Sequence, residues 1–420
     1  MTRRFAVVVD WISLFLPSGQ RRTSLLFVIA ARYQIVLESL TKCTGMNTIE
    51  YAKRLVAFES PSFLSNVAVI DFVEETLKSQ GFLIERLEYD YDAGVRKASV
   101  VGKKGKGRGG VAYFGHTDVV PADDWLSREH GPFEPTVIGE RLYGRGSCDM
   151  KGSVACMLAA AEQFSAADLR QPVYITCTAD EEVGYGGAVQ VAERSEMFRE
   201  MVEGDSRGIV GEPTMLDVVY AHKGSYGIRA TSRGRAAHSS TREGLNANLA
   251  MIPFLAEMKR IYEETESDPA WRNDEFDPPT VSWNIGINDH TRAYNITPPQ
   301  SVCTVYFRPM PGTDAEVLLR RVERAAADFG LELVFPLKAN PLYIEPNSPY
   351  VQEMLNLAGK PVPHTVAYGT DGAALTALKK LVVFGPGNIE QAHTHDEWIA
   401  LGQLRLGTQM YAKAIQQWCC

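Results

Sequence analysis

Five short segments of this 420-residue sequence put histidines and carboxylates where metal chemistry could be done. In VAYFGHTDVVP, His116 and Asp118 stand two apart at the end of an apolar run that reads as a strand, so both side chains turn to the same side. Asp149 lies between glycine turns in RLYGRGSCDMKG, at the start of an alanine-rich stretch. The segment TADEEVG follows a buried type of strand and brings Asp180, Glu181 and Glu182 together. Glu212 comes after another strand in VGEPT, and FGPG leads into QAHTHDE with His393, His395, Asp396 and Glu397.

Taken singly, each segment has a plain structural reading. A histidine after a strand is commonly a hydrogen-bonded surface residue, an acidic triplet suits a helix start, and glutamate before proline makes a turn. The joint pattern points elsewhere. Carboxylates that follow buried strands of one sheet converge on the crevice at the strands' carboxyl ends. There they repel and raise one another's pKa unless a cation sits among them. Two histidines and three or four carboxylates without thiolates describe a two-metal hydrolytic site suited to zinc, cobalt or manganese. A metal-binding histidine usually passes its other ring N–H to a carboxylate, and Asp118 is spaced to receive it from His116.

The elements that must position these residues alternate along the chain. Apolar spacing predicts helices over 47–58 and 66–80, strands over 98–102 and 111–115, a helix over 150–164 and a strand over 172–179. The basic, glycine-rich loop 103–110 lacks phosphate-loop spacing and a following helix, so it reads as a solvated hairpin. Between 225 and 337 the order changes to strand, helix, strand, strand, helix, strand, the split unit of ferredoxin-like domains. The fold class expected is α/β: a catalytic domain with a central, mostly parallel sheet, interrupted by an inserted ferredoxin-like βαββαβ lid and dimerisation domain. The boundaries are 46–218 and 339–420 for the catalytic domain and 219–338 for the lid.

Composition bounds the rest. The formal charge of −8 argues against nucleic acid or an anionic membrane as partner, and seven cysteines without metal-ligand pairing suit a reducing, cytoplasmic setting. Residues 1–45 do not match this balance: six basic residues against Asp10 and Glu38 make them +4. Their apolar runs, 5–16 and 25–31, fall short of the roughly 20 residues of a membrane span. They are set outside the fold, as a mis-assigned start before Met46 or as a presequence, in which case export replaces the cytoplasmic expectation. A dinucleotide fold is excluded because Gly144-Arg145-Gly146 lacks the third glycine, and Asp149 would repel a pyrophosphate.

In order, HTDVVP, GRGSCDMKG, TADEEVGYGG, GEPT and GPGNIEQAHTHDEW resemble the five signature segments of the zinc aminoacylase/carboxypeptidase family, and the resemblance spans about residues 47–420. That family includes acetylornithine deacetylase, succinyl-diaminopimelate desuccinylase, glutamate carboxypeptidase and aminoacylase. The resemblance implies two zinc ions, with cobalt or manganese as substitutes: His116 and Glu212 on one, Glu182 and His393 on the other, Asp149 bridging both. It further implies Glu181 as general base, Asp118 as the orienter of His116, a cis peptide after Asp149, and His395 as a neighbour without a metal role. His238 in GRAAHSS matches an oxyanion donor that the partner's lid supplies, hence a homodimer through the lid, and Arg308 in YFRPMPG matches the arginine for the substrate's α-carboxylate.

The implied substrate is a small N-acyl amino acid or short peptide. The segments are nearer to the acetylornithine deacetylase type, since AYGTDGAA at 367–374 lacks the arginine of the desuccinylase, but this type departs at the same turn. A desuccinylase-like enzyme or an exopeptidase or dipeptidase therefore stays open. A non-catalytic binding relative would have lost a ligand or the base, and all six positions are intact.

Overall fold

The structure, a computed structural model, describes residues 46–91 and 94–420. The expectation for residues 1–45 lies outside them. In chain order the catalytic part starts with α1 (Thr48–Val56), α2 (Val67–Ser79), β1 (Leu83–Tyr91), β2 (Val95–Lys104), β3 (Val111–His116), β4 (Thr136–Ile138), β5 (Arg141–Tyr143) and α3 (Lys151–Ala161). It continues with β6 (Val173–Thr178), α4 (Gly186–Arg194), α5 (Glu196–Glu203), β7 (Arg207–Val210) and β8 (Val219–His222). The lid comprises β9 (Ser225–Arg233), α6 (Asn248–Ser267), β10 (Asn284–Asn288), β11 (Gln300–Phe307), α7 (Glu316–Asp328) and β12 (Glu332–Ala339). The chain then returns through β13 (Leu342–Tyr343), α8 (Pro349–Ala358), β14 (His364–Val366), β15 (Leu381–Val383), β16 (Trp398–Ala400) and α9 (Leu401–Cys419).

The large sheet runs β1-β2-β6-β3-β7-β15-β8-β13, with β14 also paired to β8. Its centre, β6-β3-β7-β15, is parallel. Every residue of β3 and β6 is buried, as apolar runs covered on both faces must be. α3 is apolar nearly all round and correspondingly buried, packed between β3 and α1 and α9. β1 was not expected from the sequence, and Leu87 is its single buried residue. It is an edge strand, antiparallel to β2.

The lid has the expected βαββαβ order, with an antiparallel sheet β10-β11-β9-β12. Met251, Phe254 and Met258 of α6 and Leu318 and Val322 of α7 are buried in its core. The boundary drawn at residue 219 falls a few residues early, since β8 pairs with β13, β14 and β15 of the large sheet. The chain crosses between sheets at Lys223-Gly224 and Asn340-Pro341. No helix among the described residues is long and apolar enough to cross a membrane.

Candidate metal centre

Four adjacent parallel strands deliver most of the site from their carboxyl ends. β3 ends on His116, β6 leads into Asp180-Glu181-Glu182, β7 into Glu212, and β15 into the loop that carries His393. Asp149 comes from the turn before α3, followed by a cis peptide to Met150. His116 Nε2 lies 3.1 Å from Asp149 Oδ1 and 3.5 Å from Glu212 Oε1. His393 Nε2 lies 3.0 Å from Glu182 Oε2 and 3.4 Å from Asp149 Oδ2, so Asp149 stands between the two imidazoles. Donor atoms of His116, Asp149 and Glu182, and separately of His116, Glu181 and Glu212, gather within 4.8 Å of one another.

The electrostatics are those of acids crowded out of water. Burial, reinforced by Glu212 and Glu182, pushes the Glu181 carboxyl well above its ordinary range. Burial and the Asp149 charge do the same to Glu212. For Asp149 burial opposes ionisation, yet hydrogen bonds from His116 and His393 outweigh it and hold the group far below the usual carboxylate range. Hydrogen bonds to Asp149 and Glu182 raise His393 to about 10. Among the described residues no lysine or arginine forms an ion pair with Asp149, Glu181, Glu182 or Glu212. Buried carboxylates that lack a lysine or arginine partner, flanked by two imidazoles, are the donor set of hard-to-borderline divalent ions, and the residues fit such ions.

Asp118 meets the His116 ring chiefly through its backbone rather than its carboxylate. His116 Nδ1 is 2.9 Å from the Asp118 backbone carbonyl and 3.7 Å from its carboxylate, so the carbonyl fixes the ring and leaves Nε2 facing the acids. The carboxylate instead accepts from the Ser62 hydroxyl at 2.7 Å and from the Glu181 and Glu182 backbone N–H groups at 3.2 and 3.3 Å. It secures the acidic turn.

Three supports went unseen in the sequence. Lys97, fully buried, gives its ammonium to Asp180 at 2.7 Å and to the carbonyls of Ser62 and Leu64, and the Tyr89 hydroxyl donates to the other Asp180 oxygen at 2.7 Å. Asp180 has φ +59°, a left-handed conformation uncommon outside glycine, and this network holds it there. Glu397 accepts the N–H groups of Gly146, Cys148 and Asp149 and an Arg145 guanidinium N–H at 3.1 Å, tying the Asp149 turn down. Its place four residues after His393 in HTHDEW was the available signal; a lone lysine in KASVV gave none. Asp371, buried and bonded to Thr178 Oγ1 at 2.5 Å, is pushed up to about 7 by that burial.

The acids open on a cavity of about 150 Å³, also bounded by Tyr185, Tyr368 and, from the lid, Tyr306 and Arg308. Arg308 is thus brought to the site. His238 is not: it is exposed on the lid, with Nδ1 2.7 Å from Ser240 Oγ, and does not bound the cavity. His395 is also apart, paired with Asp124 at 2.7 Å.

Comparison with known proteins supplies independent findings. The model of peptidase family M20/M25/M40 matches residues 112–417. An acetylornithine deacetylase of Myxococcus xanthus is 32% identical over 379 residues, covering 87% of this chain and 96% of its own. The M20 metallo-carboxypeptidase Sso-CP2 of Sulfolobus solfataricus superposes with a TM-score of 0.68 at 15% identity, over 89% of this chain and 99% of that one. YxeP of Bacillus subtilis, described as a dinuclear metal-binding M20 peptidase, gives 0.57 at 16% identity, over 88% and 97% of the two chains.

Proposed function

Because this chain belongs to peptidase family M20/M25/M40 and is a metal-dependent hydrolase of amide bonds, we propose that it removes a short N-acyl group from an amino acid, in the manner of an acetylornithine deacetylase. The observation that carries this reading is one cavity lined by Asp149, Glu182, Glu212 and His393 beside Glu181 and facing one arginine, Arg308, with His116 set against Asp149 and Glu212 behind the lining. In the proposed assignment His116, Asp149 and Glu212 would hold one zinc, and Asp149, Glu182 and His393 the other. Such ions, when bound, would supply Lewis acidity for the amide carbonyl and lower the pKa of water to about 7.

The chain's own groups do the rest. Glu181, made a stronger base by the burial that raises its carboxyl above the ordinary range, takes a proton from the attacking water and returns it to the leaving amine. Arg308 holds the α-carboxylate with the planar geometry a guanidinium offers. His238 of a second copy donates to the carbonyl oxygen as charge develops there. A single arginine, and no lysine, among the described residues of the cavity wall favours a substrate with one carboxylate over an N-succinyl amino acid with two.

The test is an amide-hydrolysis screen of the full chain, with and without added zinc or cobalt, over N-acetyl-L-ornithine, N-acetyl-L-citrulline, N-succinyl-L,L-diaminopimelate and simple dipeptides. Metal-dependent release of acetate is the expected result. Preferred cleavage of the succinyl compound or of dipeptides would move the assignment to a desuccinylase or an exopeptidase. Inertness of the metal-loaded protein toward all four would reject it.

A further inference from the structure

Arg308 reaches the cavity from the lid, and what aims it is a pair of hydroxyls at the junction of the two domains. Its Nη1 donates to Ser225 Oγ at 3.3 Å, and the same oxygen lies 3.1 Å from the Tyr185 hydroxyl. Tyr185 closes the turn that carries Glu181 and Glu182, whereas Ser225 is the first residue of β9, directly after the Lys223-Gly224 crossing. Both residues are buried, which limits the competition from water for their hydroxyls. A Cβ at Gly369, in the glycine-rich turn after β14, would run into the Tyr185 hydroxyl and lie 3.0 Å from Ser225 Oγ. Glycine there leaves room for the pair. The guanidinium carbon sits 5.2 Å from the centre of the Tyr306 ring, which covers one face and leaves the free N–H edge for an anion.

We propose that Tyr185 and Ser225 are positioning residues: their paired hydroxyls aim Arg308 into the cavity and so set where the substrate's α-carboxylate is held relative to the metal-binding acids. This rests on reading the site as an N-acyl amino acid hydrolase. Because the contact joins the acidic turn to the lid's arginine, it registers the two ends of the substrate against each other. Loss of either hydroxyl frees the guanidinium and weakens ground-state binding, while the acids and their metals stay in place.

The experiment compares zinc-loaded wild type with Tyr185→Phe and Ser225→Ala on N-acetyl-L-ornithine, and determines crystal structures of all three. KM is expected to rise by about tenfold in each variant with kcat within about threefold, the pattern of lost uniform binding. In an Arg308→Ala background Tyr185→Phe should change KM by less than about twofold, because its effect passes through the arginine. The crystal structures should show the guanidinium withdrawn from the cavity in both single variants. An unmoved Arg308 with unchanged KM would overturn the proposal, as would a fall in kcat at constant KM. If the wild type hydrolyses no N-acyl amino acid, the functional reading fails, and the position of Arg308 in the two variant structures still decides this one: displaced supports it, unmoved refutes it.

Discussion

Glu181 and Glu182 are neighbours in sequence, yet their surroundings differ in the way a base and a ligand should. Glu182 lies 3.0 Å from His393, whereas among the described residues Glu181 forms no ion pair with a histidine, lysine or arginine. Glu181→Gln is therefore expected to keep both metals, by elemental analysis, and to lose turnover by about 10²–10⁴-fold, the usual worth of a placed general base. Glu182→Gln should lower metal content instead. The reverse outcome would exchange the two roles and favour the grouping of Glu181 with His116 and Glu212. At this scale the sequence was readable where polar residues break an apolar run, as at His116 and Glu212. It was silent on Lys97, because a buried lysine in a strand looks like an exposed one until its three acceptors are seen.

At the scale of elements, β8 couples the site to the lid crossing. Its last residue, His222, is fully buried, with Nδ1 2.8 Å from the Lys223 carbonyl and Nε2 3.1 Å from Thr370 Oγ1. Burial, with the nearby Arg308 charge adding to it, lowers the imidazole to about 4 despite the carbonyl. The ordinary value is about 6.5, so between that pH and about 4 the unfolded chain takes up a proton the native one refuses. A depressed folded pKa means stability is complete above about 6.5 and falls as the solution is acidified. Between pH 7.5 and 5 this group should cost about 2 kcal/mol, and urea unfolding of wild type against His222→Gln should show the variant's acid loss smaller by that amount. Parallel pH profiles would dismiss the effect. The same strand shows why the domain boundary was misread: four residues running straight into β9 carry no composition break, and only pairing reveals that they belong to the other sheet. β1 was missed although Leu87-Glu88-Tyr89-Asp90-Tyr91 alternates apolar and charged, because the strand lies at the sheet edge and buries only Leu87.

For the whole molecule, the alternation of elements and the order of motifs were legible, but nothing in one chain's sequence states what its lid touches. The lid carries an unpaired edge at β10, and beside it Leu249 and Ile252 of α6 and Ile287 of β10 are 68%, 60% and 63% exposed. Large side chains clustered at an open sheet edge are costly to leave in water, and a two-fold contact through this face would cover them in both copies. It would also give His238 a use, since that residue stands outside its own chain's cavity. If a second copy supplies it, each site contains Glu181 from one chain and His238 from the other. Inactive Glu181→Ala and His238→Ala proteins, dissociated, mixed in equal amounts and reassociated, should then regain about a quarter of wild-type activity, because half the dimers are mixed and each holds one intact site. Ile252→Glu placed in the contact should give a monomer, by sedimentation, that binds metal and turns over poorly. Full activity in that monomer, or no recovery after demonstrated subunit exchange, would assign His238 to the surface of its own lid and leave the carbonyl oxygen to donors within one chain.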